Sequence, residues 1–295
     1  MVNRHTHLAG IGFGLLAYSI WGFFPLYFRQ LAHISPMDVL SNRAVWACIF
    51  VGILLTLRQG WGKVLSVFKT PHQFAMLALA ALLVGSNWLM FLWAVGHQQV
   101  VASSLGYFLT PLVNVLLGLL VLKERLNKLE WISVGFAVAA IINEVIALGS
   151  LPWVSLFLAA TFGTYGLVRK RVPVDALSGL WLETLAMLPV CGIYALWMAQ
   201  SGHQVFAAQD GLTATLLIGA GILTALPLMF FAAATQRLDL ATVGMLMYIN
   251  PTMQFVTAIW IFGEPLQTAR LISFALIWIG LFVFSWSMWQ KLRRR

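Results

Sequence analysis

Long apolar runs separated by short polar segments dominate the chain. Ten runs approach or reach the length of about 20 residues that a helix needs to cross a bilayer. They lie at 8–28, 37–57, 73–95, 100–122, 131–149, 152–168, 176–199, 212–234, 240–262 and 270–290. The boundary at 149–152 is the least distinct. The pattern predicts an all-α integral membrane protein with about ten transmembrane helices.

The composition agrees with a membrane protein. The chain is 61% hydrophobic and only 9% charged, whereas soluble domains carry about 25% charged residues. The first run follows Arg4 and is not followed by a small-residue cleavage site, so we interpret it as a retained helix. Cys48 and Cys191 both fall inside apolar runs, where we expect them to act as packing residues.

The basic residues predict the orientation of the chain. If the N-terminus is cytoplasmic, Arg29 and Arg270 fall outside, Arg43 lies within a span, and the other 15 of the 18 Lys and Arg residues are cytoplasmic. This bias predicts that both termini lie inside. It also explains the net charge of +9 without nucleic acid as a partner, because no continuous basic face is formed.

Two short patterns occur twice. A Pro-x-Asp motif at the start of the second span ends at Asp38, and it recurs before the seventh span at Asp175. Both aspartates are expected to cap helix N-termini. Pro111 is followed by a glutamate 13 residues later, and Pro251 has a glutamate at the same spacing.

The offsets divide the chain into two repeats of five helices, at 1–149 and 150–295. An odd number of helices per repeat requires the second copy to enter the membrane from the opposite side. Glu124 would then face the cytoplasm and Glu264 the outside. Inverted-topology repeats of this kind are typical of secondary transporters, which bind substrate near the midplane between the repeats.

Polar and aromatic side chains inside the spans are the candidates for lining a substrate cavity, because polar groups in hydrocarbon are costly. The candidates are Asn87, Trp88, Phe91, Tyr107, Asn114, Tyr248, Asn250 and Gln254. Hydrogen bonding between helices is the alternative role. Pro111 and Pro251 are candidate gating residues, because each removes a helical hydrogen bond.

Two charged residues lie within the spans. Arg43 is about 7–8 Å below the outer end of its predicted helix. It either extends to the interface or holds an anionic group with its planar fork. Glu183 lies about 12 Å inside its helix. It is a candidate proton-coupling group, and structural hydrogen bonding is the alternative.

Several stretches resemble one known family. They lie at 87–95, 104–108, 111–114, 123–126, 165–170 and 274–278, and the similarity runs nearly end to end. They are similar to the RarD proteins of the drug/metabolite transporter superfamily, which contain two EamA-type repeats. The resemblance implies ten helices, a multi-pass permease of the bacterial inner membrane, and a family association with chloramphenicol sensitivity.

The sequence therefore favours a secondary transporter that moves a small organic metabolite or drug-like molecule by alternating access. The alternatives are a non-transporting membrane subunit or receptor and, least favoured, a membrane-embedded lipid-modifying enzyme. The chain has no Walker A, His-Glu-x-x-His or Gly-x-Ser-x-Gly motif. We thus expect no catalytic residues, cofactor or metal. The expected partners are a small-molecule substrate and the lipid bilayer, and a homodimer is compatible with the sequence.

Overall fold

The computed structural model describes residues 4–121, 123, 126–206, 210–235, 237–238 and 246–293. Within these ranges the regular structure is helical. The helices are α1 Arg4–Gly22, α2 Phe24–Arg29, α3 Pro36–Leu57, α4 Trp61–Phe68, α5 Pro71–Gly96, α6 Val100–Val121, α7 Lys128–Leu148, α8 Trp153–Lys170, α9 Ala176–Gln200, α10 Gly211–Thr235, α11 Ile249–Val256 and α12 Thr268–Arg293. A π-helical segment, Thr257–Ile261, continues α11.

Eight helices in the described part of the chain are long and apolar enough to cross a membrane. They are the combined α1 and α2 (His7–Arg29), α3, α5, α6, α7, α9, α10 and α12. The predicted sixth span forms α8, which has 18 residues and is not among the eight. The predicted ninth span, 240–262, lies partly outside the described residues. The fold class is thus confirmed, while the number ten stays a prediction.

Local sequence signals explain where several helices begin. Asn127 and Glu130 form a capping box at the start of α7, in which each side chain accepts a backbone N–H of the other. The Asp175 side chain accepts the Ser178 N–H and caps α9, as expected. Neighbouring hydrogen bonds and Lys63 hold the pKa of the Asp175 carboxyl below its usual value, outweighing the opposing effect of partial burial.

Asp38 does not have the capping role expected from its sequence. It lies in the first turn of α3, is buried, and points to the end of α9. Its carboxylate accepts the Tyr194 hydroxyl at 2.6 Å and lies 2.6 Å from Nε2 of His203. Tertiary packing has therefore replaced a local contact by a long-range one.

The helix pairs contact one another along specific faces. α6 packs on α8, α1 on α10, α10 on α3, α5 on α8, α3 on α9, and α7 on α12. Two contacts depend on glycine: a Cβ at Gly106 would lie 2.7 Å from the Ser155 carbonyl oxygen, and one at Gly221 would lie 2.5 Å from the Trp46 carbonyl carbon. Small residues thus allow the close backbone approach that membrane helix pairs use.

Large apolar side chains cover the outside of the helical bundle. Ile146, Leu120 and Leu196 are each more than 70% exposed. Such a surface would aggregate in water, but it matches the hydrocarbon core of a bilayer.

Glu264 joins the two halves of the chain at one end of the bundle. Its two carboxylate oxygens accept the backbone N–H groups of Val100 and Val101, each at 2.8 Å, and thereby cap α6. Burial raises the pKa of the Glu264 carboxyl, although the two N–H donors and the nearby Arg270 and Arg29 act in the opposite direction. The sequence pattern marked Glu264 as a repeated residue but did not reveal this contact. Its repeat partner Glu124 lies outside the described residues.

Replacing Glu264 with Leu is expected to lower the free energy of unfolding by about 1–3 kcal/mol, because two buried N–H groups lose a charged acceptor. Thermal unfolding in detergent measures this. The matched control is Asp210→Leu, which removes an exposed cap on the Thr213 N–H and should cost less. Equal losses in the two variants would contradict a special role for the Glu264 contact.

Candidate functional site

A hydrogen-bonded cluster centred on Asn87 connects three helices in the interior. The Asn87 Nδ2 group, on α5, donates to the carbonyl oxygen of Leu158 at 3.0 Å and to Oγ1 of Thr161 at 2.9 Å, both on α8. Its Oδ1 accepts the hydroxyl of Tyr107, on α6, at 3.1 Å. Asn87 is 0% exposed. The structure therefore brings two predicted cavity residues together, and their polar atoms bond between helices.

Arg43 lies beside this cluster and does not extend to the interface. It is only 2% exposed, so the snorkelling interpretation is wrong. Its Nε donates to Oγ1 of Thr224, on α10, at 2.7 Å. Its guanidinium carbon lies 4.0 Å from the ring centroid of Trp88, with Phe28 and Phe24 at 5.2 and 5.4 Å. Trp88 is thus a direct neighbour of the buried cation.

Aromatic rings continue from Arg43 towards α8. Phe91 packs against Phe28 and Tyr107, with ring centroids 6.2 Å apart in both pairs. Tyr107 also makes an edge contact with Phe162, which in turn lies 5.8 Å from Tyr165. This row of rings connects the Arg43 region to the second charged position, Glu183.

Glu183 forms its ion pair with Arg169 and not with Arg43. The Glu183 Oε1 lies 3.1 Å from Arg169 Nε, and Oε2 accepts the Tyr165 hydroxyl at 3.2 Å. The side chains of Glu183 and Arg169 are 1% and 17% exposed. Gly179 provides the space for the guanidinium, because a Cβ there would collide with it. The contacts give Glu183 a structural role, and its proton-coupling role stays a prediction.

The candidates on α11 form a second, separate cluster where α11 crosses α6. Gln254 Nε2 donates to Asn250 Oδ1 at 2.8 Å, and the Ser103 hydroxyl donates to Gln254 Oε1 at 3.3 Å. The Ser104 hydroxyl donates to the Pro251 carbonyl at 2.7 Å. The two serine hydroxyls bond α6 to α11, which is the alternative role for this group, and the Gln254–Asn250 bond lies within α11.

Asn114, Tyr248 and Pro111 make none of the hydrogen bonds of the two clusters, whereas the Pro251 carbonyl belongs to the second one. Asn114 is exposed on α6, and Tyr248 precedes α11 and packs against the main apolar core. Pro111 interrupts the interior of α6, whereas Pro251 is the third residue of α11, where a proline is tolerated better. The cavity and gating roles of these residues stay predictions.

Sequence reasoning missed Thr224, Thr161 and His203, which supply the partners of Arg43, Asn87 and Asp38. Threonines in apolar helices carry no distinctive signal, because most bond to their own helix. Thr224 also does this, donating to the Ala220 carbonyl at 2.8 Å.

Comparisons with known proteins agree with the fold. Residues 8–143 match the EamA-like transporter family. An uncharacterized transporter of Vibrio cholerae is 42% identical, over 94% of this chain and 91% of its own length. The protein RarD of Salmonella typhi is 40% identical, over 93% of this chain and 94% of its own length.

One solved structure, whose title names no function, has the same fold. It superposes with a TM-score of 0.59 at 20% identity and covers 93% of this chain and 94% of its own. The relatives are bacterial and are named as transporters or RarD, so their names describe no enzyme. Taken with the apolar helices and the end-to-end similarity, these findings show that the chain is a multi-pass bacterial membrane protein that belongs to the RarD family of EamA-type transporters.

Proposed function

We propose that this protein is a secondary transporter of the bacterial inner membrane, which moves a small organic molecule by alternating access between two five-helix repeats, 1–149 and 150–295. The observation that carries the proposal is the pairing of the helices. Exchanging the two halves converts each main helix contact into another contact that is present, as expected of a pseudo-twofold pair of inverted repeats.

The exchange can be followed helix by helix. In chain order, α1, α3, α5, α6 and α7 of the first half correspond to α8, α9, α10, α11 and α12 of the second. The contact of α6 with α8 therefore corresponds to that of α11 with α1, and the contact of α1 with α10 corresponds to that of α8 with α5. Likewise, the contact of α3 with α10 corresponds to that of α9 with α5. Three pairs map onto themselves: α7 with α12, α3 with α9, and α6 with α11. This arrangement supports two similar units that rock against each other.

The repeated aspartates support a gate at each end of the molecule. Asp38, at the start of α3, contacts Tyr194 and His203 of the second half. Asp175, at the start of α9, lies 3.5 Å from Nζ of Lys63 in the first half. Each aspartate therefore joins one half to the other, and the proposed inverted topology would put the two contacts on opposite faces of the membrane.

The two contacts differ in strength. The Asp38 carboxylate is buried, whereas the side chains of Lys63 and Asp175 are 73% and 38% exposed. Exposed ion pairs contribute about 0–1 kcal/mol. Breaking the Lys63–Asp175 contact therefore costs less free energy than breaking the buried Asp38 contact. We infer that the Asp38 contact closes the outer end more firmly than the Lys63 contact closes the inner end.

Thiol accessibility tests the two gates. A cysteine at Tyr107, in a background without Cys48 and Cys191, is labelled by a membrane-impermeant reagent from the outside or, in inverted vesicles, from the inside. Asp38→Asn is expected to increase the rate of labelling from the outside by roughly 10- to 150-fold, because a charge-assisted contact of about 1.5–3 kcal/mol is lost. Lys63→Gln should increase labelling from the inside by a smaller factor.

A cysteine at Leu120, which is 73% exposed on the lipid side, is the control and should respond to neither variant. If both variants increased labelling from the same side, the two contacts would not be opposing gates.

Reporter fusions after Lys69 and Arg171 should both indicate the cytoplasm, and an external signal at Arg171 would contradict the inverted repeats.

A further inference from the structure

Arg43 is a buried cation that forms no ion pair with an acidic residue in the described part of the chain. The described residues form four ion pairs, Lys63–Asp175, Arg169–Glu183, His203–Asp38 and Arg270–Glu144, and Arg43 takes part in none of them. Its Nη1 is buried and has no hydrogen-bond partner among those residues. An unpaired buried charge is costly to keep folded, and an ionisable group inside a membrane protein is a candidate functional group.

The surroundings hold the guanidinium in one orientation. Thr224 accepts its Nε at 2.7 Å, and the face of Trp88 covers its plane at 4.0 Å. Phe24 and Phe28 also pack around the same group, with ring centroids 5.4 and 5.2 Å from its central carbon. Nε is engaged by Thr224, whereas Nη1 is buried and has an unused donor among the described residues. An anion could satisfy that donor without reorienting the arginine, but the surrounding helices must separate to admit it.

Arg43 lies where the two halves of the chain meet. Arg43 and Trp88 belong to the first half of the chain, and Thr224 belongs to the second. A ligand bound to Nη1 therefore lies at a contact between the two units. Tyr107, which bonds to Asn87, is within electrostatic range of Arg43, so the ligand's charged end would also be close to the Asn87 cluster.

We propose that Arg43 binds the carboxylate of a small organic monoanion with a flat apolar body, and that such anions are the substrate class of the transporter. The substrate assignment rests on the transport function proposed above, whereas the binding site does not. A carboxylate matches the planar fork of a guanidinium. One unpaired cation balances one negative charge, whereas a dianion would leave an excess charge in the membrane. The rings of Trp88, Phe91 and Tyr107 suit a flat apolar body.

Equilibrium binding of benzoate to the full-length protein in nanodiscs tests the site. Benzamide, which has the same shape and no charge, is the matched ligand. We expect saturable benzoate binding that is at least roughly tenfold tighter than binding of benzamide. Arg43→Met should weaken benzoate binding roughly 10- to 100-fold, and Arg43→Lys should give an intermediate loss because it keeps the charge but not the fork.

Arg58→Met is the matched control, because Arg58 lies at the exposed C-terminal end of the same helix. It should bind benzoate like the unchanged protein. Absence of saturable benzoate binding, equal binding of benzamide, or unchanged binding in Arg43→Met would each overturn the proposal.

Thermal stability separates a binding role from a structural one. If Arg43 is an uncompensated cation, Arg43→Met should raise the thermal midpoint of the ligand-free protein while it abolishes stabilisation by benzoate. Thr224 keeps its own bond to the Ala220 carbonyl, so the variant leaves no orphaned hydroxyl. A lower midpoint in Arg43→Met would indicate that Arg43 supports the fold, and would overturn the site.

Flux measurements in liposomes separate this inference from the transporter proposal. Benzoate binding without benzoate exchange across the membrane would support the site and contradict transport of this anion. Gate variants that behave as expected, in a protein that does not bind benzoate, would support alternating access and contradict the anion site.

Discussion

Glu183→Gln is expected to lower the free energy of unfolding by about 3–5 kcal/mol, because it leaves the guanidinium of Arg169 buried and unpaired. The pair is enclosed, with side-chain exposures of 1% for Glu183 and 17% for Arg169. Arg169 Nη1 already lacks a hydrogen-bond partner in the described part of the chain. Chemical or thermal unfolding in detergent measures the loss.

The double variant Glu183→Leu with Arg169→Met is the decisive comparison. Replacing both members of a buried ion pair by apolar residues is often neutral or stabilising, whereas removing one member is not. The double variant should therefore recover most of the stability lost by Glu183→Gln.

The same variants test the proton-coupling prediction for Glu183. Loss of stability together with unchanged pH dependence of transport would assign Glu183 to structure alone. Unchanged stability together with loss of the pH dependence would instead identify it as the coupling group, and would contradict the structural interpretation of the ion pair.

Gly106→Ala is expected to destabilise the protein by about 1–3 kcal/mol, because the added methyl group overfills a tight contact. The new Cβ would lie 2.7 Å from the Ser155 carbonyl oxygen and 3.1 Å from its Cα. Both atoms belong to the backbone, so no side-chain rotation relieves the collision. α6 and α8 must move apart.

That movement would also reach the Asn87 cluster. The Ser155 hydroxyl donates to the Ala102 carbonyl at 2.7 Å, and Asn87 donates to the Leu158 carbonyl at 3.0 Å across the neighbouring face of α8. The Ser155–Ala102 bond joins α8 to α6 and should lengthen when these two helices separate. The Asn87 cluster, which joins α5, α6 and α8, must then adjust as well.

Gly166→Ala, also on α8, is the control, because a Cβ there meets nothing within 4 Å. It should be neutral or slightly stabilising, since alanine favours a helix over glycine by up to about 1 kcal/mol. Thermal unfolding of the two variants side by side makes the comparison. A Gly106→Ala variant as stable as Gly166→Ala would show that the α6–α8 contact is looser than the structure indicates.

The sequence by itself determined the membrane class, the family and most helix positions. Membrane-spanning length and apolar character are local properties, because every backbone group in lipid must be satisfied within its own helix. The capping roles of Asn127 and Asp175 are equally local in the structure. The similar motifs at Asp38 and Asp175 could also be recognised as a repeat from the sequence alone, because a motif is a local pattern and does not depend on how the helices pack.

Only the tertiary structure decided what the polar residues contact. Asp38 and Asp175 occupy the same place in one motif, yet one bonds to His203 and Tyr194 while the other caps its own helix. Arg43 lies near the end of its helix by count but is enclosed by rings from other helices. Spacing along one helix indicates how deep a side chain lies and which face of the helix it occupies. Its contact partner comes from a distant part of the chain, because the packing of the helices decides which residues meet.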